Sequence, residues 1–212
     1  MKKIIIALFV LMGGFGICSI ASGAISGSAH DFSHAAWSRG QICLPCHAPH
    51  NNSDVDDAPL WNHTVSDAVY ELYASPTFTA DDITQPGGVS KLCLSCHDGT
   101  IAIDAFGGSG DTAGEGSRFI GEGRNVGTDL SNDHPVSFTY DTALVTEDGG
   151  LFDPITTPSG VTGSTGSIDA DMLFAGRMEC ASCHDVHNKY DNFRLLKVDN
   201  SGSALCLTCH DK

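Results

Sequence analysis

Cysteine and histidine recur in this 212-residue chain in one fixed arrangement, two thiols separated by two residues and followed at once by an imidazole. It occurs at Cys43-Cys46-His47, Cys93-Cys96-His97, Cys180-Cys183-His184 and Cys206-Cys209-His210. Thiols at this spacing form two thioethers to one porphyrin, and the adjoining histidine reaches the iron as its proximal ligand. Zinc ligation, a disulfide or a redox dithiol would use the same thiols, but none of them requires the histidine. With 10 histidines in 212 residues, four such placements arise by chance on the order of once in 10⁵ trials. Four covalently bound haem c groups are expected.

Six histidines remain for the opposite faces of four irons: His30, His34, His50, His63, His134 and His187. Met172 and Met178, the methionines outside the N-terminal 24 residues, read as packing residues. The expectation is therefore four bis-histidine, low-spin, low-potential haems. His50 and His187 each follow a proximal histidine by three residues, too close to turn back onto the same porphyrin, so each should ligate a neighbouring haem. His134 stands between Asp133, a candidate partner for its other ring nitrogen, and the conformationally restricting Pro135. One upstream histidine per half then completes a set of His30, His50, His134 and His187, with His63 an open rival to His30.

The elements that carry these residues show an internal repeat. Residues 90–98 and 203–211 are identical at seven of nine positions, and the first and third motifs share the extra histidine three residues on. The fold expected is a multihaem cytochrome c, mostly coil with short helices and minimal β structure, in two dihaem halves of about 25–130 and 131–212. One helix is expected from about Ser66 to Ala74, with Val65, Val69, Leu72 and Tyr73 on one face, and one short strand over 136–140. Glycine- and serine-rich stretches at 107–131 and 156–167 read as surface loops, and the glycines at 121–127 lack the spacing of a nucleotide site. Aromatic content is 8%, so the porphyrins must supply much of the core. An apo-chain should not fold.

Residues 1–24 read as a secretory signal, a lysine pair followed by an apolar run and then small residues, too short for a confident membrane span. Cys18 falls inside it, behind an isoleucine that argues against lipoprotein processing. Removing Lys2 and Lys3 with this segment takes the formal charge from -15 to -17. Such a surface repels nucleic acid and anionic lipid, and favours basic partners, cations or mineral surfaces. Oxygen-rich stretches at Asp54, Asp56, Asp57 and at Asp81-Asp82 leave a calcium ion open as a second cofactor.

The chain resembles tetrahaem cytochromes with doubled CXXCH motifs, and among them the OmcE-like extracellular nanowire cytochromes of metal-reducing bacteria. The likeness rests on 43–50, Pro59-Leu60-Trp61-Asn62-His63, 93–99, 132–136 and the two C-terminal motifs. It implies a coil-rich protomer with paired haems, polymerised so that the haem chain continues between subunits, with one sixth ligand coming from the neighbour. His30 would be that donor. Expected partners are further copies of the chain, other multihaem cytochromes and external acceptors such as metal oxides, at the cell surface. A monomeric periplasmic shuttle is the alternative, and a multihaem reductase a third reading.

Overall fold

The computed structural model describes residues 25–50, 55, 58–107 and 118–212. The expected signal over 1–24, Cys18, Asp54, Asp56 and Asp57 lie outside the described residues.

Short helices carry three of the four motifs. Helix α1 (Gly88–His97) holds the second, α4 (Cys180–Cys183) the third and α5 (Ala204–Cys209) the fourth. The first sits on a turn closed by His47 N donating to Cys43 O at 2.7 Å. Helices α2 (Thr142–Asp148) and α3 (Ile168–Met172) lie between them. Asp141 starts α2 by accepting from Leu144 N at 2.9 Å, and Gly149 ends it with φ 69°, a left-handed conformation that glycine adopts without steric cost.

Strands β1 (Phe138–Thr139) and β2 (Arg177–Met178) form a two-stranded antiparallel sheet, Phe138 opposite Met178. This is shorter than the expected strand over 136–140, because Ser137 takes φ 62° and Tyr140 N turns to Gly176 O. The helix expected from Ser66 to Ala74 does not form. Its amides are taken by remote acceptors: Ser66 N by Ser95 Oγ at 2.9 Å, Tyr70 N by Gln85 Oε1 at 2.8 Å and Glu71 N by Thr128 O at 2.9 Å. The stretch is extended, and Val69, assigned to the apolar face, is 80% exposed.

The larger core cluster joins Phe138, Tyr140, Leu144, Val161, Ile168, Met172, Met178, Val198 and Cys209. Both methionines are thus packing residues of the core. Phe78, Ala80 and Ile83 pack against it from upstream, and α1 packs on α4, so contacts cross the expected division near residue 130. A second cluster holds only Tyr70, Leu94 and Leu130.

The internal repeat extends beyond the motifs. After the first, Ala48 N donates to Leu60 O and Asn62 N to Cys46 O; after the third, Asp185 N donates to Leu195 O and Lys197 N to Cys183 O. Leu60 and Leu195 are both left-handed, at φ 58° and 60°. The segment 194–198 is therefore the structural counterpart of Pro59-Leu60-Trp61-Asn62-His63, with Val198 in the place of His63. The sequence alone suggests no such counterpart.

Candidate haem sites

Each motif presents its histidine from a helical turn, and the other ring nitrogen is anchored on the backbone in three of the four. His47 Nδ1 lies 2.9 Å from Pro59 O, His97 Nδ1 2.8 Å from Arg124 O and His184 Nδ1 3.0 Å from Arg194 O. A neutral imidazole that donates from Nδ1 keeps the Nε2 lone pair free, which is the tautomer a metal requires. The acceptors for His47 and His184 occupy equivalent positions of the repeat.

Three of the motif histidines face a second histidine. His97 faces His30 with ring centroids 6.0 Å apart, His47 faces His187 at 6.4 Å and His210 faces His134 at 6.3 Å. Metal–imidazole bonds of about 2 Å, with each nitrogen about 1 Å from its ring centroid, put two histidines that share one metal about 6 Å apart. Aromatic neighbours elsewhere in the chain sit at similar separations, so distance alone does not identify these pairs. What distinguishes them is that both rings are imidazoles and one of each pair belongs to a motif. Burial first, then the neighbouring His97, His184 and His187, lower the His30 pKa to about 4, keeping it neutral and able to ligate.

His134 Nδ1 lies 2.9 Å from Pro135 O, so the backbone, not the expected Asp133, orients it. His63 is buried, with Nδ1 2.7 Å from Thr64 O and Nε2 3.1 Å from Ala102 O, so whichever nitrogen carries the proton finds a carbonyl to accept it. It touches Cys96 Sγ at 3.5 Å but faces no proximal histidine. His50 is exposed, on the rim of a cleft of about 280 Å³ lined also by Leu44, Ala48 and Phe106. Among the described residues no histidine ring faces His184 at the separation of the other three pairs.

Four of the motif thiols are held protonated by burial. Burial pushes Cys46 up to about 11, Cys96 to about 12, Cys183 to about 11 and Cys209 to about 11. Among the described residues no three of His, Cys, Asp and Glu converge as a metal site. Asp82 is committed elsewhere: its carboxylate accepts from Thr139 Oγ1 at 2.6 Å and from Arg177 Nη1 at 3.3 Å.

These residues fit a covalently bound porphyrin. Two buried donors near the histidine pairs, Trp61 Nε1 and His30 Nδ1, have no partner among the described residues. Trp61 lies edge-on to His47 with ring centroids 6.2 Å apart. The C-terminal residues 173–212 match the family model described as the doubled CXXCH motif. The match supports a multihaem c-type cytochrome. Its CXXCH motifs indicate covalently bound haem c and imply a role in electron transfer. No curated protein matches the chain. Among the described residues no helix is long and apolar enough to cross a membrane.

Proposed function

We propose that this protein carries electrons through four haems, attached at Cys43/Cys46, Cys93/Cys96, Cys180/Cys183 and Cys206/Cys209, as the subunit of an extracellular filament that delivers electrons to external acceptors. The reading is carried by the three histidine pairs at 6.0–6.4 Å, each joining a motif histidine to a second imidazole. Haem so held supplies a one-electron ferric/ferrous couple with no open coordination position, which suits transfer rather than catalysis. The polypeptide contributes the ligands, the tautomers that its carbonyls impose, and close approach between attachment sites. His47, His97, His184 and His210 are the proximal ligands in this reading, opposed by His187, His30, an unassigned donor and His134 respectively.

The distal side of His184 bears on assembly. Because His30 lies against His97 of its own chain, it is not the ligand offered to a neighbour; exposed His50 or His34 of a second copy would fill that role. One observation favours the monomeric periplasmic shuttle instead. His50 is the repeat equivalent of His187, and His187 faces the proximal histidine of the other half, so His50 of the same chain would complete His184. A reductase would need the His184 position open to substrate. Cryo-electron microscopy of haem-loaded protein from sheared cell surfaces and from periplasm tests all three. Filaments with continuous haem density support the conduit. Discrete particles with every iron closed within one chain support the shuttle, and nitrite or hydroxylamine turnover by an open site would revive catalysis.

A further inference from the structure

Two of the motif-bearing helices are clipped together by a buried polar cluster. Glu179, the residue before Cys180, is 3% exposed, and Ser90, three before Cys93, is fully buried. Ser90 N donates to Glu179 Oε2 at 3.3 Å, while Cys180 N donates to Ser90 Oγ at 2.9 Å. Each helix start is therefore satisfied by a side chain of the other helix. Ser137 Oγ donates to the same carboxylate oxygen at 3.0 Å, Arg177 Nε lies 3.9 Å from Oε1, and Glu179 N donates to Ser182 Oγ at 2.9 Å.

A buried carboxylate is costly unless its acceptors are filled, and here hydrogen-bond donors and a guanidinium fill them. Attachment itself does not demand it, because the same position holds Ile42, Leu92 and Leu205 in the other motifs. What sets the third motif apart is its neighbour. Helix α1 carries Cys93 and α4 begins at Cys180, so packing these helices brings together attachment points from the two halves of the chain.

We propose that Glu179 is a positioning residue that locks the second attachment site against the third and makes the α1–α4 junction the place where electrons cross between the halves of the chain. The inference rests on the haem reading above. A single electron crosses there, oxidising one site as it reduces the other, with no bond made or broken and no proton moved. Ser90 and Ser137 hold the geometry through Glu179, and the carboxylate is the buried charge built into that junction.

The test uses full-length, haem-loaded protein and the variants E179A, E179Q and S90A. Covalent haem per chain, counted by mass and by the pyridine haemochrome, tests the haem reading alone: a native chain that carries no haem overturns that reading. The excitonic couplet in Soret circular dichroism and the midpoint potentials then test the positioning role. E179A is expected to load the same number of haems, to weaken the couplet at least twofold and to raise the potential of one or two sites. E179Q, which keeps an acceptor for Ser90 N and Ser137 Oγ, is expected to restore most of the couplet but not the potentials. Loaded E179A with native couplet and native potentials overturns the proposal. Should E179A fail to load, S90A decides, since an unaltered couplet there overturns it equally.

Discussion

His187 and His47 stand 140 positions apart in the chain, yet their rings face each other with centroids 6.4 Å apart and planes 17° from parallel. His187 lies three residues beyond His184 and is aimed at the first motif, not back at its own. Replacing it by alanine should leave haem content unchanged and convert one haem in four to a high-spin state, seen as an axial ferric signal in electron paramagnetic resonance. An all-low-spin H187A spectrum would remove this pair from the ligand set.

His30 and His63 make opposite predictions. H30A should lose low-spin character at the His97 site, whereas H63V, which installs the residue found at the equivalent position Val198, should stay low-spin throughout. The visible spectrum of the ferric protein separates the two directly, and a high-spin H63V would reverse the order of the rivals.

Much of the site was legible because thioether attachment demands a contiguous pattern, and a contiguous pattern survives in sequence whatever the fold does. The role of His187 was legible in part: its nearness to His184 excludes its own iron, but nothing local says which other motif it meets. That His30 lies against a motif histidine while His63 lies between Thr64 O and Ala102 O was hidden, because each placement depends on a residue remote in sequence, His97 for the one and Ala102 for the other. The helix expected from Ser66 failed for a similar reason. Its apolar spacing suits a helix, but Gln85, Ser95 and Thr128 compete for its amides, and all three are remote in sequence. The repeat of Leu60 in Leu195 is a backbone property, left-handed in both, that leucine does not advertise.

Asp82 ties upstream chain to the β1–β2 ribbon. Burial alone would raise its pKa, but hydrogen bonds from Thr139 and the charge of Arg177 outweigh it and hold the carboxyl below the usual range. A depressed folded-state value means that its contribution is present in full above the ordinary carboxylate pKa, near 4, and is lost as pH falls through the folded value. The pair with Arg177 is about one-third exposed on each side, so solvent screens it and about 1 kcal/mol is the expected cost of D82A at neutral pH. Denaturation of wild type and D82A should converge below pH 4; a constant gap down to pH 2 would remove the charged form from the explanation.

Tyr70 Oη donates to Asp98 Oδ2 at 2.6 Å in a buried setting shared with Ser66 and Thr100. Y70F should cost about 1–3 kcal/mol in chemical denaturation, since it removes a bond to a buried carboxylate and leaves the ring in place. A change below about 0.5 kcal/mol would mean that Ser66 and Thr100 satisfy Asp98 unaided.

The double variant C206A/C209A should lose the mass of one haem and melt earlier than the native protein. Cys209 is itself part of the larger core cluster, and Phe152 N donates to its carbonyl at 2.8 Å, so detachment there loosens the core as well as a ligand site. An unchanged melting temperature would separate the fourth site from the core.

The crossing of His187 to His47 also orders the protein's biogenesis. A chain made from the N-terminus completes the first motif 140 positions before residue 187 is added. Under the proposed ligand set, a haem attached early at the first motif would hold one histidine until His187 arrives. On that reading the second half would finish the first, and a product truncated before His187 would show a high-spin first site.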